Sequence, residues 1–181
     1  EIARAFSAPA PKCPGQVCVF TGPGGVLVVA SAPTKAEDYG GAPAFGSEGG
    51  RYLRKLIAEA GVTNVVYGYA VRCARPNGEV LAKDKLGQDA IGPCRTYLTE
   101  DMRFTRPSRI IAVGDAAIES LLGDDAPRAR TCRRAVGWLS QAILPQPTPV
   151  LCLPDALLAL RHRTWRATFE ADVKWALTTT S

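Results

Sequence analysis

The chain has 181 residues, 46% of them hydrophobic, and a formal net charge of +5. That length predicts one domain with a core it can bury without disulfides. No stretch approaches the roughly 20 apolar residues of a membrane span, and the opening Glu1-Ile-Ala-Arg-Ala-Phe-Ser lacks the apolar region of a secretion signal, so a membrane is excluded and a reducing, cytoplasmic setting is expected.

Residues 1–25 are rich in Pro and Gly and carry Cys13 and Cys18 in an irregular segment. Val26–Ala30 reads as a short buried strand, bounded by Gly24-Gly25 and Pro33. A Gly/Pro-rich loop runs from Ser31 to Gly46. Ser47 to Ala60 reads as a helix, capped by Ser47, with Tyr52, Leu53, Leu56 and Ile57 on its apolar face and Gly61 at its end. Asn64–Arg72 is a second strand, leading into Cys73. A polar loop with Pro76-Asn77-Gly78 follows, then a helix over Gln88–Phe104 whose start Gly92-Pro93 interrupts.

Arg109–Val113 is a third buried strand, and Asp115 is the N-cap candidate of a helix over Ala116–Leu122. Residues 123–148 read as an arginine-rich loop containing Trp138. Val150–Leu153 is a fourth strand, followed by Pro154-Asp155 and a helix. The last helix, Arg163–Leu177, offers Trp165, Phe169, Val173, Trp175 and Ala176 to the core. Strands alternating with helices predict an α/β fold. It is a three-layer sandwich around a four-stranded, mainly parallel sheet, with its site at the carboxyl ends of the strands.

Two residue types stand out. Cys13, Cys18, Cys73 and Cys94 suit a tetrahedral sulfur site, an iron–sulfur cluster or zinc. Their spacing does not choose between the metals, and buried thiols or disulfides are the alternative. Cys152, in a strand, reads as core, and Cys132 as a loop cysteine. The arginines cluster: Arg128, Arg130, Arg133 and Arg134; Arg161, His162, Arg163 and Arg166; and Arg95, Arg103, Arg106 and Arg109. Arginine forks suit phosphate contacts, against the alternative of a solvated basic surface.

The order of these pieces resembles the uracil-DNA glycosylase superfamily, most closely its family 4 iron–sulfur members. Four blocks carry the likeness: Val28-Val-Ala-Ser-Ala-Pro33 continuing through Glu37-Asp38 to Pro43-Ala-Phe-Gly46; the strand ending in Cys73 with Cys94-Arg-Thr-Tyr-Leu; Arg106-Pro-Ser-Arg-Ile-Ile-Ala-Val-Gly114; and Leu153-Pro154-Asp155-Ala-Leu-Leu with Trp165 and Asp172 downstream. The resemblance implies a single domain over 1–181 and a [4Fe–4S] cluster on Cys13, Cys18, Cys73 and Cys94. That cluster would anchor segment 1–25. It also implies DNA, single- or double-stranded, as the partner.

In the same resemblance the family's catalytic acid falls at Ser31. Its base-stacking aromatic falls at Ala44, with Phe45 next. Its base-reading Asn falls at Tyr69, and its O2-donating His at Leu153. All four have changed, and a tyrosine at 69 would fill the base pocket. Losing an oxyanion donor alone costs about 3–4 kcal/mol of transition-state stabilisation, which argues against ordinary uracil excision. Family 5 relatives use an Asp just after the Phe-x-Gly segment, where Ser47 and Glu48 stand here. Glu48, Asp38 and Asp155 are therefore the candidate acids, against ordinary roles as helix N-terminal charge, turn residue and N-cap.

His162 reads as a phosphate contact. With Arg128, Arg130, Arg133, Arg134, Arg161 and Arg163 it makes up the candidate DNA-binding set. The first reading is thus a DNA-binding module acting in replication, repair or modified-base metabolism, with a larger replication or repair protein as a further partner. The alternative is an active DNA glycosylase with a rebuilt pocket, hydrolysing the N-glycosidic bond of uracil or another modified base. A third is a redox-sensing cluster protein.

Overall fold

Short runs of Val, Ile and Leu, too brief for helices and buried on both sides, pair into a central sheet. The structure, a computed structural model, describes residues 25–38, 40–74, 85–139 and 143–179, with 85–90 described in their backbone alone. In chain order it contains β1 (Val26–Ala30), α1 (Lys35–Asp38), α2 (Glu48–Glu59), β2 (Val65–Tyr69), α3 (Lys85–Thr105), β3 (Arg109–Val113) and α4 (Asp115–Leu122). A 3-10 turn (Gly123–Asp125), α5 (Ala126–Thr131), β4 (Val136–Trp138), β5 (Pro149–Leu153), α6 (Ala156–Arg161) and α7 (Arg163–Thr178) follow.

The sheet runs β2-β1-β3-β5-β4. The first four strands are parallel, and β4 pairs antiparallel at the edge. Side chains alternate across β1. Val26 and Val28 join a core with Leu53, Ile57, Phe169 and Val173, from α2 and α7. Leu27 and Val29 join the opposite core with Leu98, Met102 and Ala117, from α3 and α4. The period of two thus builds a helix layer on each face. No helix among the described residues is long and apolar enough to cross a membrane.

Four expectations need correction. The sheet has five strands rather than four, because β4 lies inside the stretch read as an arginine loop; α5 lies there too. β4 is only three residues long, is mostly exposed and has Gly137 at its centre, so it lacks the apolar run that marks a buried strand. Gly114 rather than Asp115 is the N-cap of α4. The helix α3 continues through Pro93, with Gly92 and Pro93 exposed. Trp165 is not core: 55% of it is exposed.

Other readings hold. Ser47 Oγ accepts the Gly50 N–H at 3.2 Å and caps α2, and Asp155 Oδ1 accepts the Leu157 N–H at 2.7 Å and caps α6. Arg109 secures the last helix by donating to the carbonyls of Leu177 and Thr179, 2.9 and 2.6 Å away, as a cation at a helix C-terminus should. The polar loop around Pro76-Asn77-Gly78 lies outside the described residues.

Candidate functional site

The chain runs from β1 outward to β2 and returns to the other side of β1 for β3. This reversal opens a crevice at the carboxyl ends of β1 and β3, where ligands collect in open α/β sheets. A cleft of about 370 Å³ occupies it, walled by the ends of β1, β2 and β3 and by the first turns of α2 and α6. Ser31, Phe45, Ser47, Glu48, Tyr69, Asp155 and Arg161 all reach it.

Close backbone approach makes this geometry possible. A Cβ at Gly49 would come within 2.9 Å of the Leu157 amide nitrogen, so glycine lets α2 meet the start of α6. Gly114, at φ 87°, occupies the left-handed region that a side chain would strain. A Cβ there would lie 2.8 Å from Ser31 Oγ and 3.7 Å from Asp155 Oδ2. A hydroxyl and a carboxylate oxygen therefore converge above the start of α4.

Tyr69 forms the floor. Its ring stacks on Phe45 at 5.1 Å, and its hydroxyl accepts the Phe45 N–H at 2.8 Å. Phe45, itself at φ 57°, is fully buried. The Tyr69 hydroxyl also bonds Glu37, whose carboxylate accepts the N–H groups of Thr34 at 2.6 Å and Ser47 at 3.1 Å.

Glu37 is only 2% exposed. Burial pushes its carboxyl up, but the hydrogen bonds from Thr34, Ser47 and Tyr69 together outweigh burial and hold it below the ordinary value. Sequence reasoning missed this residue, although a signal was present: Thr34-Lys-Ala-Glu37 is a capping box, and the Glu37 N–H reaches Thr34 Oγ1 at 3.4 Å.

The three candidate acids separate. Glu48 is exposed at the first turn of α2 and lines the cleft. Asp155 lines it too, with Oδ1 spent on the α6 cap. Asp38 is not part of the cleft wall. Its Oδ2 accepts the Ala74 N–H at 2.6 Å, beside Cys73, and its Oδ1 is buried without a hydrogen-bond partner among the described residues. Of the five base-pocket candidates, Ser31, Phe45 and Tyr69 line the cleft. Ala44 does not, and Leu153 is 1% exposed within the core beneath it.

The cysteine set is only half described, since Cys13 and Cys18 lie outside the described residues. Cys94 is free and buried, packed with Val71, Ile91 and Ala116. Cys73 is disulfide-bonded. Beside it, Arg72 pairs with the buried Asp101 of α3 and lies over the Tyr97 ring at 5.2 Å. That clamp ties the end of β2 to the helix that carries Cys94. Among the described residues no group of three His, Cys, Asp or Glu is placed to hold a metal. Cys152 is core, its thiol pushed up to about 11 by burial, and Cys132 is exposed and free.

The two arginine clusters of the candidate DNA-binding set behave differently. Arg133 grips Asp172 through Nε, at 3.1 and 3.0 Å from its two oxygens, and through Nη2 at 2.8 Å; Arg134 Nε reaches the same carboxylate at 2.7 Å. Burial raises the Asp172 carboxyl, yet the two guanidinium groups hold it below its ordinary value. Arg130 pairs with Glu119 and donates to the Asp115 carbonyl. Arg128, Arg161, His162 and Arg163 are exposed, and among the described residues none of these four is in an ion pair.

The chain is 27% identical over 154 residues to a type-4 uracil-DNA glycosylase of Pyrobaculum aerophilum, covering 82% of this chain and 74% of that relative. The model of the Uracil DNA glycosylase superfamily matches residues 22–172, which span β1 to α7 and every wall of the cleft. The chain belongs to the uracil-DNA glycosylase superfamily and within it is most like the family 4 type.

Proposed function

We propose that this protein binds DNA beside the cleft, admits an unstacked nucleotide to it and does not perform ordinary uracil excision, serving replication, repair or modified-base metabolism. One observation carries this reading: Tyr69, which the family resemblance sets against a base-reading Asn, lines the cleft and is held by Phe45 and the Glu37 carboxylate. At the end of β5, separated from β2 by two strands, Leu153 is buried and offers no donor to a developing oxyanion. Excision needs such donors preorganised, and each one absent costs about 3–4 kcal/mol.

A rebuilt glycosylase is the second reading, favoured by the convergence of Ser31 Oγ and Asp155 Oδ2 over Gly114. A carboxylate and hydroxyl facing one spot could hold and polarise a water. Asp155 supports it better than Glu48, whose place at the first turn of α2 also suits a helix N-terminal charge, and better than Asp38, which is committed elsewhere. The same proposal assigns a [4Fe–4S] cluster to Cys13, Cys18, Cys73 and Cys94. The free, buried Cys94 is available to it, whereas Cys73 is disulfide-bonded and would have to be reduced to ligate iron. When bound, a cluster there would crosslink the N-terminal segment to the loop after β2.

The test is an excision screen on anaerobically purified protein whose iron content and visible spectrum are recorded first. Single- and double-stranded oligonucleotides carrying uracil, hypoxanthine, xanthine or hydroxymethyluracil are incubated and probed for alkali-labile abasic sites. DNA binding without excision is the expected outcome. Excision lost on Asp155→Asn but kept on Asp38→Asn would move the conclusion to the second reading.

A further inference from the structure

Trp165 stands in the first turn of α7 with 55% of its surface in water. It shares helical spacing with Phe169 and Val173, which are buried. The end of the helix carrying Trp165 projects past the core, and the ring forms one wall of a small groove of about 190 Å³ with Pro154 and Thr168.

A single exposed aromatic is ordinary; its surroundings are not. Arg161, Arg163 and Arg166 lie within four residues, and none is in an ion pair among the described residues. Arg161 also lines the cleft. The His162 ring lies 5.9 Å from Trp165. Arg166 Nη2 donates to the Leu160 carbonyl at 3.0 Å, closing the corner between α6 and α7. An aromatic face and cations outside any ion pair among the described residues therefore meet at one corner, and one of those cations, Arg161, also lines the cleft.

We propose that Trp165 is a stacking platform for an unpaired base of the DNA strand whose neighbouring nucleotide occupies the cleft, with Arg161 and Arg163 on the flanking phosphates. The proposal rests on the DNA-binding reading above. Every base has a π-face, so such a platform tolerates sequence, while guanidinium forks suit the backbone on either side. Arg133 and Arg134 cannot serve the phosphates in the same way without giving up Asp172.

The test measures the affinity of a short single-stranded oligodeoxynucleotide across a salt series, together with tryptophan fluorescence. Trp165→Ala should weaken binding by roughly 10- to 100-fold, leave the salt slope unchanged and abolish most of the quenching seen on binding. Trp165→Tyr should restore most of the affinity. Arg161→Ala should instead lower the salt slope by about one. If the unaltered protein binds the oligonucleotide and Trp165→Ala binds equally well with quenching intact, the platform is wrong while DNA binding stands. If the unaltered protein binds no DNA at all, both fall.

Discussion

Residues 128–134 and 161–166 have similar composition and serve different ends. In the first, Arg130, Arg133 and Arg134 meet carboxylates, and two of them close on the buried Asp172 of α7. They fasten the link between α5 and β4 to the last helix. In the second, Arg161 and Arg163 are exposed, Arg161 lines the cleft, and neither is in an ion pair among the described residues. An arginine cluster in a sequence is therefore a statement about charge, and only its neighbours decide whether it stabilises the fold or meets a ligand.

The contrast can be broken most sharply at Asp172. Asp172→Ala should destabilise the protein by about 2–3 kcal/mol in urea unfolding, less than the ~3–5 of a fully buried pair because both guanidinium groups can rehydrate. Arg161→Ala should stay within about 0.5 kcal/mol of the parent. Equal losses at the two sites would erase the distinction.

The next effect is on acid stability. Glu37 and Asp172 both have folded values held below their ordinary 4.5 and 3.8. The unfolded chain then binds more protons in this range, so the stability they contribute is present above about pH 4.5 and is lost as pH falls through the depressed folded values. Glu37→Gln should cost about 1–2 kcal/mol at neutral pH and flatten the acid limb of a plot of urea midpoint against pH. Arg161→Ala should leave that limb unchanged.

Smaller effects belong to DNA binding. Arg163→Ala should reduce the salt slope by about one while leaving thermal stability unaltered. Arg133→Ala should lower stability and leave the slope alone. The smallest change is expected at Arg128, exposed on α5 outside the cleft wall: Arg128→Ala should shift the slope by less than about one and stability by less than about 0.5 kcal/mol.

Much of this was legible in the sequence. The strands β1, β2, β3 and β5 are continuous apolar runs, and the helices after Ser47 and Asp155 announce their caps. Position in a parallel sheet then brings Ser31, Tyr69 and Asp155 together, although 38 residues separate the first pair and 86 the second. What stayed hidden depends on neighbours far along the chain. β4 exists because β5 offers it a partner, and its own residues carry little strand signal. Trp165 keeps helical spacing with Phe169, yet periodicity says nothing about where the core ends along a helix axis. Arg133 and Arg134 look like ligand contacts until Asp172, almost 40 residues later, folds against them. Glu37 was the avoidable omission, since its capping box is local.

The brief helix α1 has a consequence out of proportion to its four residues. Its two last side chains pull in different directions: Glu37 holds Thr34, Ser47 and the Tyr69 hydroxyl, while the adjacent Asp38 holds the backbone of Ala74, next to Cys73. Neighbouring residues on one rigid turn act as a strut with a foot at each end. The floor of the cleft and the cysteine-bearing bend are thereby geared to each other, and neither can be displaced without the other feeling the load.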